Sequence, residues 1–170
     1  ILVLLPIFLG FFLLHIILIA YGIYAHADIL PTLIPDTIFE TQTLVEQLGW
    51  VTVAAFFLRA YSLGAGTYTG IEAVSNNVQM LVEPRVRTGK VTMLYMAMSL
   101  SALAAGLITL YLLWHATPQP GQTLNAVVFR SVIEDMGLTP NAELNLLTLV
   151  LLFEALMLFA AANTGILGGT

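Results

Sequence analysis

The sequence predicts an all-α integral membrane protein, and two observations carry that prediction. Of the 170 residues, 59% are hydrophobic and only 9% are charged, whereas a soluble domain carries about 25% charged residues. The apolar residues also form long continuous runs, and a helix needs about 20 such residues to cross the roughly 30 Å hydrocarbon core. Strands of a membrane barrel would instead alternate in polarity over about ten residues. The chain lacks that alternation.

Four apolar runs predict four transmembrane spans, at about residues 1–24, 48–81, 91–114 and 144–166. The chain would then form one membrane domain. It begins inside the first run, without an initiator methionine or the charged leader of a signal peptide, and it ends in a glycine-rich tail. We therefore expect both ends to continue in a longer parent protein.

Composition excludes several classes of function. Only 5 Lys and Arg stand against 10 Asp and Glu, which is the wrong balance for binding nucleic acid. Without cysteine there is no thiol nucleophile and no Cys-ligated zinc. The three histidines are scattered, and neither an HExxH pair nor a phosphate-binding glycine loop occurs. We expect no enzyme, no catalytic residue, no metal and no cofactor, and we expect the lipid bilayer and a small substrate as partners.

The loops predict the orientation of the spans in a cell membrane. The connection 82–90 holds Arg85, Arg87 and Lys90, which are three of the five basic residues. The loops 25–47 and 115–143 are mainly acidic. By the positive-inside rule, the 82–90 loop is cytoplasmic and the other two loops are external.

The external loop 115–143 contains an apolar pattern with helical spacing. It predicts a short amphipathic helix that lies on the membrane or caps a vestibule. The residues of the pattern are Leu124, Val127, Val128 and Val132.

The second run is too long for a simple span. Residues 48–81 would form a helix of about 50 Å, and three glycines lie close together in its middle, each costing about 1 kcal/mol of helix stability. Unwound backbone is tolerated at membrane depth where it lines a cavity, and secondary transporters bind their substrates at such breaks. The alternative is a continuous helix that packs through a GxxxG face. The candidate substrate-binding residues are Gly64, Ala65, Gly66, Thr67, Tyr68, Thr69 and Gly70.

Ionisable residues inside the predicted spans are candidates for gating or coupling, because they are costly in lipid. Glu72 follows the glycines, and we expect it to face protein and to have a polar partner. His15 lies in mid-span, either as a hydrogen-bonded imidazole within a helix bundle or as a proton-coupling residue. Arg59 and Glu154 are opposite buried charges, which predicts a salt bridge between them.

Residues 60–77, followed by 83–85, resemble the sixth helix of permeases in the amino acid–polyamine–organocation (APC) superfamily. The core of the match is Thr-Gly-Ile-Glu-Ala-Val-Ser-Asn, at 69–76. Residues 6–9 with His15 are similar to the fifth helix of these permeases, and residues 161–164 are similar to the eighth.

The resemblance implies a LeuT-type fold of two inverted repeats of five helices, in which this chain supplies the fifth to eighth helices. It implies a secondary active transporter that carries amino acids by alternating access and is proton-coupled. A potassium–proton symporter of the same superfamily stays open, because Thr69 and nearby carbonyl groups also suit a hard cation. Side chains on the first and third helices of the parent protein would separate these alternatives.

Overall fold

The computed structural model describes residues 4–64 and 69–168, and for residues 69, 70, 73 and 163–168 it describes the backbone alone. All the secondary structure in these residues is helical, which confirms the all-α prediction for the described chain. A short 3₁₀ turn, Val78–Met80, lies between the fourth and fifth helices. The α-helices are α1 (Leu4–Ala25), α2 (Leu30–Leu48), α3 (Trp50–Gly64), α4 (Thr69–Asn76), α5 (Arg85–Leu113), α6 (Leu124–Asp135) and α7 (Pro140–Gly168).

Three helices of the described chain are long and apolar enough to cross a membrane. They are α1, α5 and the stretch Pro140–Ala162 of α7. Helix α3 is apolar but only 15 residues long. The coarse prediction of membrane-spanning helices therefore agrees with the structure, whereas the count of four spans stays a prediction.

Residues 1–29 and 102–170 form one compact unit, called here the first unit. Helices α1, α6, α7 and the C-terminal part of α5 surround its core. The side chains of α6 at the centre of this core are at most 1% exposed. The buried cluster consists of Leu18, Ile19, Leu110, Val128, Phe129, Val132, Ile133, Leu147 and Val150.

The apolar face of α6 corrects one prediction. A helix within 115–143 is confirmed, but its apolar face packs against α1 and α7 and is not free to lie on the membrane. The alternative, that the helix caps a vestibule, stays a prediction. Polar contacts hold its C-terminal end as well, because the Tyr21 hydroxyl donates to the carbonyl oxygen of Asp135 at 3.2 Å and to its Oδ2 at 3.0 Å.

Residues 30–101 form the second unit, and here most of the predicted loop 25–47 is helical. Its place as an external connection between two spans stays a prediction. Helix α2 occupies Leu30–Leu48. Leu30, Ile34 and Ile38 recur every four residues, which is helical spacing. The hydroxyl of Thr37 donates to the carbonyl of Leu33 one turn earlier, at 2.7 Å, so polar side chains of this helix are satisfied locally.

The connection 82–90 is also shorter than predicted. Helix α5 begins at Arg85, directly after Pro84, so the three basic residues lie in its first turns and not in a loop. The carbonyl of Pro84 accepts from the amide of Thr88 at 3.0 Å, and Arg85 Nε lies 3.0 Å from Glu83 Oε1. The side of the membrane on which these residues lie stays a prediction.

The long second run is divided between three short elements. Helix α3 ends at Gly64, α4 begins at Thr69, and the 3₁₀ turn follows α4. The predicted interruption covers residues 64–70, of which 65–68 lie outside the described residues. It therefore stays a prediction.

Gly49 joins α2 to α3 with a φ of +79°, and a Cβ at this position would meet open space. Because an L-residue in left-handed backbone costs roughly 1–2 kcal/mol, we expect Gly49→Ala to destabilise the protein by about that amount. Gly64→Ala is the matched control, because Gly64 is helical and also faces open space, and we expect it to be neutral or stabilising. Denaturant unfolding of both variants in detergent checks this, and equal stabilities would contradict it.

Candidate functional site

A connected chain of polar side chains lies inside the first unit. It consists of Tyr111 from α5, Asn125 from α6, Glu154 from α7 and His15 from α1, so each helix of the unit contributes one residue. His15 is near the middle of α1 and Glu154 is near the middle of α7. Both helices are apolar enough to span a membrane, which makes their ionisable residues candidates for function.

His15 is fully buried, and both its ring nitrogens have partners. Nδ1 lies 2.8 Å from the carbonyl oxygen of Phe11, one turn earlier in α1. Because a carbonyl oxygen only accepts, Nδ1 carries a hydrogen and donates. Nε2 lies 3.1 Å from Glu154 Oε1. The ring of Phe129 packs edge-on against the imidazole, with 5.0 Å between ring centroids, and so closes the site with apolar surface.

Glu154 is the second ionisable residue of the site, and its side chain is 13% exposed against 1% for His15. Its Oε1 also accepts from Asn125 Nδ2 at 2.8 Å. The Oδ1 of Asn125 in turn accepts from the Tyr111 hydroxyl in a short hydrogen bond. The orientation of the amide is therefore fixed by a donor on one side and an acceptor on the other.

Local features of the sequence bring these side chains together. A Cβ at Gly10 would overlap the ring of Phe153, so glycine at this position lets α1 and α7 approach closely beside Glu154. Thr123 caps α6, and its hydroxyl accepts from the amide of Ala126 at 3.1 Å. The cap starts α6 so that Asn125 lies in the first turn, one turn before Phe129.

The predictions for the polar residues have different outcomes. His15 is confirmed as a buried, hydrogen-bonded histidine of a helix bundle, and its role in coupling stays a prediction. Glu154 is bonded to His15 and Asn125, because α1 packs directly on α7. Arg59 belongs to the second unit and its side chain is exposed, so the salt bridge between Arg59 and Glu154 stays a prediction.

The predicted substrate-binding residues lie in the second unit. Gly64 is the last residue of α3, and Thr69 and Gly70 are the first residues of α4. Ala65, Gly66, Thr67 and Tyr68 lie outside the described residues. Their predicted role in binding stays a prediction.

Glu72 lies in the first turn of α4, where the helix dipole favours its charge. Its side chain is exposed in this chain. The polar partner expected for it in a complete transporter stays a prediction.

Sequence reasoning missed Asn125 and Tyr111. A signal for Asn125 exists, because it precedes Val128, Phe129 and Val132 at helical spacing and so lies on the apolar face of an amphipathic helix. A polar residue on such a face needs a buried partner. Tyr111 carries no comparable signal, since aromatic residues are common in apolar spans.

The site contains two ionisable side chains, His15 and Glu154, and offers no metal centre in the described residues. No group of three or more His, Asp or Glu side chains among them could bind a metal ion. Comparison of the chain with models of protein families, with curated proteins and with solved structures finds no match. The chemistry of the buried side chains is therefore the main guide to function.

Asn125→Ala should destabilise the protein by about 1–3 kcal/mol, because it leaves the Tyr111 hydroxyl without an acceptor and removes a donor from Glu154. Asn145→Ala on the exposed side of α7 is the matched control and should change stability little. Unfolding in detergent measures both. A similar stability for the two variants would remove Asn125 from the network.

Proposed function

We propose that the chain is part of a proton-coupled secondary active transporter of the amino acid permease type. The observation that carries the proposal is the pair of buried His15 and partly buried Glu154 at the middle of two long apolar helices. The rest of the same transporter chain, a small substrate and the lipid bilayer are its proposed partners, and a multi-pass position in the cell membrane is its proposed location.

The argument for coupled transport starts from the cost of the pair. Ionisable groups in a membrane interior are expensive, and they occur where ions or protons move. Helix packing alone needs no such groups, because small residues such as Gly10 already let the helices approach closely. The buried pair is therefore better explained by proton coupling than by packing.

The substrate would bind at the other feature typical of such transporters, a discontinuous helix. Helix α4 begins at Thr69 within the stretch that resembles the sixth permease helix. The amide groups at the start of a half-helix attract an anionic group such as the carboxylate of an amino acid. This supports an amino acid as substrate, with the backbone of residues 64–70 as its binding site.

In the second candidate, a potassium–proton symporter, the same stretch binds a potassium ion in place of an amino acid. Carbonyl and hydroxyl oxygens, including that of Thr69, would coordinate the cation.

The experiment that separates the two candidate functions is uptake by proteoliposomes that contain the complete parent protein. Radiolabelled amino acids and a potassium tracer are supplied in turn, with and without an inward proton gradient. Gradient-driven uptake of an amino acid supports the first proposal, and failure to transport either substrate overturns both.

Thr69→Val should weaken the apparent affinity for the transported substrate by roughly 5- to 150-fold, the equivalent of losing a hydrogen bond or ligand of about 1–3 kcal/mol. Valine keeps the branched shape, so folding should change little. The matched control is Thr109→Val, because the Thr109 hydroxyl only donates to the carbonyl of Ala105 in its own helix, at 2.8 Å. Concentration-dependent uptake measures both variants. An unchanged affinity for Thr69→Val would remove Thr69 from the site.

A further inference from the structure

We infer that His15 and Glu154 form a single proton-binding site, in which the two side chains share one proton between Nε2 and Oε1. The inference rests on the proposed function and deepens it, because it names the coupling ion and the atoms that carry it. It follows from the hydrogen-bond directions around the imidazole.

The direction of one hydrogen bond fixes which nitrogen of the neutral imidazole carries the hydrogen. His15 Nδ1 donates to the carbonyl oxygen of Phe11, so one hydrogen of the imidazole is permanently committed to Nδ1. Nε2 of the neutral ring then carries a lone pair, and it faces Glu154 Oε1 at 3.1 Å. Two acceptors do not form a hydrogen bond, so the contact requires one further proton between them.

That proton has two alternative positions. It belongs either to Nε2, which gives an imidazolium beside a carboxylate, or to Oε1, which gives a neutral imidazole beside a carboxylic acid. Asn125 Nδ2 donates to Oε1 in both forms, because a carboxylic acid oxygen still accepts. Proton transfer along the contact therefore leaves the rest of the network intact.

The surroundings favour one proton over none or two. With one proton the pair has no net charge, with none it is an anion, and with two it is a cation. The rings of Phe11 and Phe129 pack against the imidazole and Asn125 donates to the carboxyl group, and these three side chains are uncharged. Tyr111, a further titratable group, hydrogen-bonds to Asn125 and also interacts electrostatically with Glu154. A net charge at this position is costly, so release of the proton must be accompanied by a change of structure.

Exposure indicates where the proton enters. The side chain of Glu154 is partly accessible, whereas the imidazole is fully enclosed. A group that delivers or removes the proton therefore reaches Glu154 first, and His15 is the inner half of the site. Loss of the proton removes this hydrogen bond between α1 and α7, which gives the site a means of coupling protonation to helix movement.

Glu154→Gln tests the inference because it imitates the proton-loaded state. The amide nitrogen of glutamine donates to His15 Nε2 and its oxygen accepts from Asn125, so every partner is satisfied without a transferable proton. In proteoliposomes with the complete parent protein, substrate exchange without a gradient is measured first, as the reference level for each variant. Accumulation driven by a pH gradient should fall to the level reached without the gradient. Glu134→Gln, at an exposed position of α6, is the matched control and should keep gradient-driven accumulation.

Magnetic resonance tests the shared proton independently of any transport assay. In the wild-type parent protein, labelled with ¹⁵N-histidine and ¹³C-glutamate, magnetic resonance should show His15 Nε2 and the Glu154 carboxyl changing together at one common pH midpoint. Nδ1 should remain protonated throughout. In Glu154→Gln the change at His15 over that pH range should disappear.

The outcomes separate the two proposals. Common titration in a protein that moves no substrate would retain the proton site and overturn the transporter. Substrate exchange with gradient-driven accumulation intact in Glu154→Gln would retain the transporter and overturn the role of the pair. Separate midpoints for His15 and Glu154 would overturn the shared proton whatever the transport result.

Discussion

The hydrogen bond between His15 Nδ1 and the carbonyl of Phe11 is the constraint on which the polar interior of the first unit depends. It selects the tautomer of a buried imidazole, and the tautomer then decides what Nε2 requires from Glu154. Glu154 in turn orients Asn125, and Asn125 receives the Tyr111 hydroxyl. One local bond within α1 therefore sets the donor and acceptor directions of side chains on three other helices.

The helical class and the position of the apolar helices could be predicted from composition and length, because a span requires a run of apolar residues whatever its neighbours are. Helix α2 could not be predicted in this way, since Pro31, Pro35 and four nearby acids are typical of a loop. The regular spacing of its apolar residues indicates a helix more reliably than the prolines and acids indicate a loop. The beginning of α5 could not be predicted from the basic residues either, because charge indicates the side of a membrane and does not mark where a helix begins.

The candidate site was only half predictable. His15 and Glu154 are conspicuous as ionisable residues within apolar runs, but their partners depend on which helices touch. Opposite charge predicts Arg59 as a partner of Glu154, whereas the close approach of α1 and α7 at Gly10 brings His15 to it. Asn125 belongs to a helix predicted to lie on the membrane or to cap a vestibule, so the contact that joins α6 to the pair does not follow from the sequence. The packing of the helices selects these partners.

Helix α6 has polar contacts at both ends and an apolar middle. Asn125 bonds to Glu154 at one end, and Asp135 accepts from Tyr21 at the other. Apolar packing has no preferred direction, so the buried valines and Phe129 alone would let α6 slide or turn against its neighbours. Hydrogen bonds are directional, and two of them set about 15 Å apart along the axis fix both rotation and register. Helix α6 thus connects the Glu154 carboxyl group to the C-terminal end of α1, and a shift at one end of the helix is resisted by the hydrogen bonds at the other.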